Sequence, residues 1–367
     1  MRRGKPRSSW LSYGLLAGSA VLFVAALGAR ASNDGEPFDL RAAYSGTPEN
    51  WPRPQLRAGA AFEEFAPLPS PETPGPREAK WVALGARLFD DPRLSASGQI
   101  ACASCHAAEL AFSDALQRPF GHDRQRGRRN SQALIVTRWM TPLFWDGRAE
   151  TLEEQALHPI IDRVEMAADL GDVERRMNTI PAYRTAFAEL TGRTQIRRAD
   201  LAQALAAFQR SLRPRTTRFS RLVAGDNRAM SDQQLKGLHL FRTKAGCANC
   251  HSGMLLSDRR FHNLGLSFYG RPREDLGRWE VTGVAADVGR FRTPSLLNAG
   301  RTAPYMHNGL LRSFDNVVAF YNGGGGRDRR AKAYKGNAPP PTPDPLIQPL
   351  GLTRAEQEAL VAFLKAL

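Results

Sequence analysis

The chain has 367 residues and 42% hydrophobic content, which is enough for two domains of ordinary size that each bury a core. Its formal net charge of +15 would suit a nucleic-acid ligand, but no nucleic-acid recognition motif accompanies the charge. The lack of such a motif argues against a nucleic-acid-binding protein despite the positive charge.

The first 31 residues have the features of a signal peptide. They contain five basic and no acidic residues, and an apolar stretch at 15–27 follows the basic start. Ala29-Arg30-Ala31 then supplies the small residues that a signal peptidase reads. We expect this segment to be cleaved; an uncleaved N-terminal anchor is the alternative, and both would export the rest of the chain to the periplasm.

Residues 32–77 are rich in proline, which interrupts helices and central strands because it lacks an amide hydrogen and fixes φ. We interpret the segment as an extended arm or linker. Its prolines include Pro52, Pro54, Pro67, Pro69, Pro71, Pro74 and Pro76.

A first helical domain is predicted over residues 78–224. Apolar residues recur at helical spacing over 79–89, just ahead of the pentapeptide Cys102-Ala103-Ser104-Cys105-His106. A second periodic stretch, over 201–212, is closed by Pro214.

A second domain is predicted over residues 225–367 and repeats this arrangement. Ser231 and Gln234 have the spacing of a capping box, at the start of a helix that leads into Cys247-Ala248-Asn249-Cys250-His251. Another capping box, at Thr353, begins the last helix. Because each pentapeptide follows an amphipathic helix and strand signals are few, we predict an all-α fold with a degenerate internal duplication.

The two pentapeptides use all four cysteines of the chain. Covalent attachment of haem needs two thiols, which meet its two vinyl groups, and an adjoining histidine that reaches the iron. A Cys-x-x-Cys pair alone could instead be a redox disulfide or half a zinc site. Two complete copies behind an export signal favour two covalently bound c-type haems, one in each of two cytochrome c-like domains. The attachment residues are then Cys102, Cys105, Cys247 and Cys250, and the iron ligands are His106 and His251.

Two clusters of basic residues could steer an acidic redox partner, because long-range charge raises encounter rates. A solvated surface, or contacts to haem propionates, is the alternative. The clusters are Arg124, Arg126, Arg128 and Arg129, and Arg327, Arg329, Arg330, Lys332 and Lys335.

Several stretches from residue 79 onward resemble the bacterial di-haem cytochrome c peroxidase family, which includes the MauG-like enzymes that oxidise residues of a partner protein. Their order and spacing identify the chain as a member of that family. Besides the two haem motifs, the matching stretches are Leu84-Gly-Ala-Arg-Leu-Phe-Asp-Asp-Pro-Arg-Leu-Ser, Arg129-Asn-Ser, Phe144-Trp-Asp-Gly-Arg-Ala-Glu-Thr-Leu-Glu-Glu-Gln-Ala, Val164-Glu-Met, Phe291-Arg-Thr-Pro-Ser-Leu and Ala303-Pro-Tyr-Met-His-Asn-Gly.

The resemblance implies roles for three residues near the N-terminal, peroxide-reacting haem. Glu165 matches the distal carboxylate, which can take a proton from bound hydrogen peroxide and return it to the leaving oxygen. Trp145 matches a tryptophan between the two haems, where an indole can relay charge. His122 matches a histidine that occupies the sixth iron position in many resting peroxidases of the family and that the MauG-like branch lacks. Each residue also has an ordinary structural alternative. Glu165 could be a surface or capping residue, Trp145 a core residue and His122 an exposed loop histidine.

The resemblance also implies a calcium ion between the domains, held by Asn130, Thr302 and Pro304. One asparagine oxygen and two backbone carbonyls, completed by water, suit a hard cation. Ordinary turn chemistry is the alternative for these residues.

The sequence departs from the standard family at the second haem. Counting from His307, the position of the usual methionine ligand holds Tyr321, as in the MauG-like branch. A phenolate stabilises ferric iron, whereas a thioether favours ferrous iron. Two alternatives remain: Met306 could reach the iron from a shifted loop, or Tyr321 could simply pack in a helix over 317–321.

Three functions follow from these features. The first, which we favour, is a peroxidase that reduces hydrogen peroxide with electrons from a small periplasmic donor such as a cytochrome c or a cupredoxin. The second is a MauG-like enzyme that uses peroxide to oxidise a tryptophan or tyrosine of a partner protein. The third is a plain electron-transfer cytochrome, which has no need of Glu165. The sequence leaves the donor, the target and homodimer formation open.

Overall fold

A computed structural model of the protein describes residues 39–328 and 336–367. The predicted signal peptide, the first residues of the proline-rich segment and most of the second basic cluster lie outside the described residues.

Helices dominate the described residues, in agreement with the predicted all-α class. The strands β1 (Phe261–His262) and β2 (Phe291–Arg292) add one short antiparallel ladder, which the sequence did not predict. Among the described helices, none is both long and apolar enough to cross a lipid bilayer. The helices are α1 (Leu40–Ala43), α2 (Pro76–Phe89), α3 (Leu152–Ile161), α4 (Leu170–Asn178), α5 (Pro181–Thr191), α6 (Arg198–Ser211), α7 (Arg218–Val223), α8 (Asp232–Arg242), α9 (Trp279–Thr282), α10 (Phe314–Asn322) and α11 (Arg354–Leu364).

Both predicted capping boxes are confirmed. The backbone amide of Gln234 donates to the Ser231 hydroxyl over 3.3 Å, and the Ser231 amide donates to the Gln234 side chain over 2.9 Å. Thr353 and Glu356 make the same reciprocal pair at the start of α11. These bonds satisfy amide groups that have no partner within the helix, and they fix where α8 and α11 begin.

Two helix pairs cross at glycines. A Cβ atom placed on Gly85 of α2 would lie 1.9 Å from the carbonyl oxygen of Ala204 in α6. A Cβ atom on Gly237 of α8 would lie 2.1 Å from the carbonyl oxygen of Ala359 in α11. In each half, the helix before the haem motif thus approaches the backbone of a later helix closely.

Residues 39–367 form one compact unit. Within it, most buried apolar side chains gather in two large clusters. One draws on residues 81–212, and the other on residues 44–65 and 219–367. This division runs close to the predicted boundary between residues 224 and 225, which stays a prediction.

The described part of the proline-rich segment packs against the second half of the chain. Three of its aromatic residues, Tyr44, Trp51 and Phe65, are buried in the second cluster. Arg242, at the end of α8, is fully buried and donates to both carboxylate oxygens of Glu64, at 2.5 and 2.8 Å. The described part of the segment is therefore tightly held; its role as an arm or linker stays a prediction.

Candidate active site

Each pentapeptide forms one turn of 3-10 helix, Cys102–Ser104 in the first and Cys247–Asn249 in the second. All four thiols are free of disulfides. Burial raises the pKa of the Cys102, Cys105 and Cys247 thiols to about 12, so these groups are neutral at physiological pH. Two thiols on one turn, unpaired and set beside a cavity, suit thioether formation.

The histidine of each motif is oriented by a backbone carbonyl. Nδ1 of His106 lies 2.8 Å from the carbonyl oxygen of Phe112, and Nδ1 of His251 lies 2.9 Å from that of Leu256. A carbonyl oxygen only accepts, so Nδ1 carries the hydrogen and Nε2 keeps its lone pair for a metal. Burial lowers the pKa of both imidazoles, which favours this neutral form.

A single cavity of about 1010 Å³ connects the two motifs. Pockets for one small ligand usually have volumes of roughly 300–1,000 Å³, so this cavity lies at the upper end of that range. Its wall contains eleven of the thirteen predicted site residues, while Cys102 and His122 are outside the wall. The eleven are Cys105, His106, Asn130, Trp145, Glu165, Cys247, Cys250, His251, Thr302, Pro304 and Tyr321.

Glu165 reaches the cavity because a glycine lets a neighbouring loop approach it. The amide of His122 donates to the carbonyl oxygens of Val164 and Glu165, at 3.0 and 2.8 Å. A Cβ atom on Gly121 would lie 2.1 Å from the Val164 oxygen, so only glycine fits there without displacing the loop. Burial, and to a smaller extent Asp162, raise the pKa of Glu165 to about 7. The carboxyl group is thus poised to gain or lose a proton near neutral pH.

The ring of His122 does not line the cavity. Its Nε2 lies 3.5 Å from the Asp123 carboxylate, and its buried Nδ1 has no hydrogen-bond partner. In this conformation the loop contributes its backbone, which holds Glu165. The role of His122 as an iron ligand stays a prediction.

Trp145 lies on the cavity wall between groups from both halves of the chain. Its indole N–H donates to the carbonyl oxygen of Asn130 over 2.9 Å, and its own carbonyl accepts from the Arg292 amide over 2.8 Å. The indole meets the ring of His307 edge to face, with 6.4 Å between centroids. His307 in turn stacks on Phe291 at 3.5 Å. These contacts fix the plane of the indole.

The arginines of the first basic cluster differ in their surroundings. Arg129 is nearly buried and donates twice to Asp275, each over 2.7 Å, and also to Asp146. Arg128 pairs with Glu280. Both are therefore engaged within the protein, whereas Arg124 and Arg126 are exposed and have no carboxylate partner among the described residues. Within the first cluster, Arg124 and Arg126 are therefore the arginines whose charge is free to attract an acidic partner.

Tyr321 and Met306 both lie on the cavity wall near the second motif. Tyr321 is in α10, as predicted, and burial strongly raises the pKa of its phenol. The Cys250 and Cys247 thiols are close enough to add to that shift. Met306 lies in a loop, and its φ of 71° is a backbone angle that residues other than glycine rarely adopt.

The predicted calcium ligands Asn130, Thr302 and Pro304 lie on the same wall. The side-chain nitrogen of Asn130, Nδ2, donates to the carbonyl oxygen of Leu116 over 2.9 Å, so its side-chain oxygen Oδ1 is the atom left for a cation. The grouping suits a hard ion bound through oxygen.

Sequence reasoning did not single out Arg292. Its side chain is buried on the cavity wall and donates to the carbonyl oxygens of Met140, at 2.9 Å, and Phe144, at 3.1 Å. Burial lowers its pKa to about 10, so the guanidinium stays charged at neutral pH. A buried cation without a carboxylate partner among the described residues suits an anionic group inside the cavity. The sequence signal that could have identified Arg292 is its position in Phe291-Arg-Thr-Pro-Ser-Leu, one of the stretches that resemble the family.

His307 was also overlooked as a functional residue. It is fully buried on the wall, its Nε2 has no hydrogen-bond partner, and burial lowers its pKa to about 3. The imidazole is therefore neutral. An unpaired ring nitrogen facing a cavity costs free energy that a bound group with a donor or acceptor could offset.

The residues present fit haem at both ends of the cavity. Each end offers two free thiols and an oriented imidazole, and the wall between them adds a buried cation and an unpaired ring nitrogen. A half-buried carboxyl group, that of Glu165, lies at the first end, and a half-buried phenol, that of Tyr321, lies at the second. The fold and site together define a haem-dependent oxidoreductase.

Comparisons with known proteins place the chain within one family. The profile of the di-haem cytochrome c peroxidase family matches residues 79–228. The cytochrome-c peroxidase IdrP1 of Denitromonas iodatirespirans is 38% identical over 84% of this chain and 87% of its own length. The methylamine utilization protein MauG of Methylophilus methylotrophus is also 38% identical, over 70% of this chain and 75% of its own. The chain therefore belongs to the di-haem cytochrome c peroxidase and MauG family.

The structure of a MauG-like protein associated with microbial copper homeostasis is similar throughout. Its TM-score is 0.70 at 29% identity, with 86% of this chain and 92% of that chain covered. The similarity extends the match beyond the residues of the family profile.

Proposed function

We propose that the protein is an exported peroxidase with two c-type haems, which reduces hydrogen peroxide to water with electrons from a small redox protein. Each turnover would take one peroxide, two protons and two electrons and would release two waters. The observation that carries this proposal is the position of Glu165, a half-buried carboxyl group with a pKa of about 7 on the same cavity wall as His106.

Glu165 would move the proton that peroxide cleavage requires. Above pH 7 it is mostly ionised and can accept the proton of an entering peroxide, and it can return that proton to the departing oxygen. Burial makes this transfer efficient because the carboxyl group has a pKa close to the working pH. Haem iron, when bound, would supply peroxide binding and electron transfer.

Other residues would hold the cofactors and connect them. Cys102, Cys105 and His106 would bind the first haem, and Cys247, Cys250 and His251 the second. Trp145, held rigid between Asn130 and His307, would lie on the route for electrons between the two ends of the cavity. Arg292 would compensate an anionic haem substituent.

The decisive experiment replaces Glu165 with glutamine. Removing a general acid–base residue should lower peroxide turnover by roughly 10²–10⁴-fold. Turnover would be followed as oxidation of a pre-reduced small cytochrome c, with haem content checked by the pyridine haemochrome spectrum. Glu109→Gln is the matched control, because Glu109 is exposed and only four residues from Cys105. Equal turnover in E165Q and E109Q, with both haems present, would refute the proposed role.

A second candidate is the MauG-like oxidation of a partner protein, and Tyr321 favours it. A half-buried phenol beside the second motif is the ligand that would stabilise oxidised iron there. The second site would then be slow to accept electrons and suited to losing them. The relatives include proteins of both names.

Spectra of two substitutions would distinguish the candidates. If Tyr321 ligates the second iron, Tyr321→Phe should change the low-spin ferric EPR signal, and Met306→Leu should leave it unchanged. Tyr305→Phe is the control, since Tyr305 lines the same cavity but its hydroxyl already donates to the Ala299 carbonyl over 3.2 Å. A change with M306L alone would support the peroxidase with a methionine ligand.

Calcium binding at Asn130 is part of the same proposal. The Asn130 carbonyl accepts the Trp145 indole N–H, so an ion on its side chain would also stabilise the tryptophan. Treatment with a calcium chelator should then lower turnover, and added calcium should restore it.

A further inference from the structure

His262, on β1, lies between two carboxylates. Its Nδ1 is 2.7 Å from Asp344 Oδ2, and its Nε2 is 2.9 Å from Asp258 Oδ2. All three side chains are almost entirely buried. Carboxylate oxygens only accept hydrogen bonds, so both ring nitrogens carry hydrogen and the imidazole is a cation. The three groups together carry a net charge of −1.

This group of three residues, which we call the anionic clamp, touches the second haem motif. The backbone amide of Asp258 donates to the carbonyl oxygen of Cys250 over 2.7 Å. The Cys250 sulfur and the ligand atoms of Asp258 and His262 all lie within 4.8 Å of one another. His262 also lines the cavity. At the equivalent position of the first motif, the Cys105 thiol instead contacts the carbonyl oxygen of Phe120, at 3.9 Å.

The clamp is rigid. Asp344 accepts from the Leu346 amide over 2.9 Å and donates its own amide to the Asn263 carbonyl over 3.2 Å. Asp258 likewise accepts from the Arg260 amide over 3.0 Å. Arg290 lies close enough to act on Asp344, but its own guanidinium lies 3.9 Å from the Asp287 carboxylate, so the net charge stays at −1 when both residues are counted. Asp258 acts on His251. The charges therefore keep their positions relative to the second motif.

Cys250, Asp258 and His262 are spaced like the ligands of a metal ion. Two observations speak against that use. Both nitrogens of His262 are already bonded to carboxylates, and the proposed function commits Cys250 to a thioether bond. If the charges of these residues instead act on the second haem, all of these bonds can stay in place.

On the basis of the proposed function, we infer that the anionic clamp sets the electron affinity of the second haem. A fixed net negative charge in a buried site stabilises ferric iron over ferrous iron, because ferric iron carries one more positive charge. The clamp and Tyr321 would act in the same direction. Asp258, His262 and Asp344 are thus positioning residues for electron transfer at the second site.

Opposite substitutions test the sign of the effect. Asp344→Asn removes a negative charge and should shift the midpoint potential of the second haem upward. His262→Gln removes the positive charge and should shift the same potential downward. The potential of the first haem should stay unchanged in both variants. Potentials would be measured by spectroelectrochemical titration of the full protein with both haems attached. Asp315→Asn, an exposed carboxylate of α10, is the matched control.

A merely structural role predicts a different result. Loosening the site would admit water and shift the potential of the second haem in the same direction in D344N and H262Q. That result, or the absence of any shift beyond D315N, would overturn the inference. If H262Q does not fold, the comparison of D344N with D315N is sufficient to test the inference.

The haem content separates failure of this inference from failure of the proposed function. A mass spectrum showing a single haem would overturn the proposed function and the inference about the clamp together. Two haems with unshifted potentials would overturn the inference about the clamp alone.

Discussion

At the scale of single residues, the chemistry depends on which polar groups are buried and what they touch. Glu165 is an ordinary carboxylic acid until burial raises its pKa to about 7. His307 is an ordinary imidazole until burial lowers its pKa to about 3. Near neutral pH the first can exchange a proton, while the second cannot. The sequence named Glu165 through its family motif, but burial depends on distant segments and could not be predicted from the residues beside it.

The pH profile of peroxide reduction should report the titration of Glu165. The carboxylate accepts a proton only when ionised, so kcat/KM for hydrogen peroxide should rise with pH through about pH 7 and level off above it. Initial rates between pH 5 and pH 9 would measure this. In E165Q the rise should disappear, whereas E109Q should keep it. If kcat/KM in E165Q still rises with pH and with the same midpoint, the titrating group is a residue other than Glu165.

At the scale of elements, the two glycine crossings show what sequence patterns can and cannot predict. The apolar periodicity and capping boxes predicted α2, α6, α8 and α11, because those signals are local. They did not predict which helices touch. Gly85 and Gly237 are the residues that allow contact, but a glycine within a helical pattern does not identify its partner. The short ladder of β1 and β2 was missed for a similar reason, since strands of two residues have no periodicity.

Substituting alanine at either crossing should destabilise the protein. The new methyl group would overlap a backbone carbonyl, so the helices must separate, at a cost of about 1–3 kcal/mol in the free energy of unfolding. Chemical denaturation of G85A and G237A would measure this. Gly300→Ala is the control, because Gly300 is exposed and its Cβ atom would meet nothing closer than 4.0 Å, so the substitution should change stability by less than about 0.5 kcal/mol. Equal stabilities of all three variants would contradict the close approach.

At the scale of the whole molecule, charges hold distant segments together. The proline-rich segment was predicted as an arm or linker from its composition, and its attachment depends on Arg242, which composition does not reveal. The guanidinium is buried under Trp51 and Phe65 and bonded to the Pro52 carbonyl as well as to Glu64. Arg129 joins Asp146 to Asp275 in a comparable way. Such pairs depend on residues far apart in the chain, which is why local patterns did not predict them.

Replacing Glu64 with glutamine should loosen the segment. The substitution leaves a buried cation without its counter-charge; partial exposure of Glu64 reduces the cost to roughly 2–3 kcal/mol. Limited proteolysis should then cut near residues 52–64 sooner than in the wild type, and the free energy of unfolding should fall. Glu63→Gln is the control, since Glu63 is adjacent, is exposed and pairs with no basic side chain in the described part of the chain. Identical digestion of E64Q and E63Q would show that the ion pair does not hold the segment.

The contact between Arg242 and Glu64 also has a consequence for the order of assembly. The two residues are 178 positions apart, so the segment has nothing to dock on until α8 has emerged and folded. Contacts of such long range form late, because the entropy lost in closing the loop precedes the gain from packing. The proline-rich segment, although synthesised early, would thus be among the last parts to settle. Until it closes, the turn at Cys247, only five residues beyond Arg242, would stay open for the haem attachment proposed above.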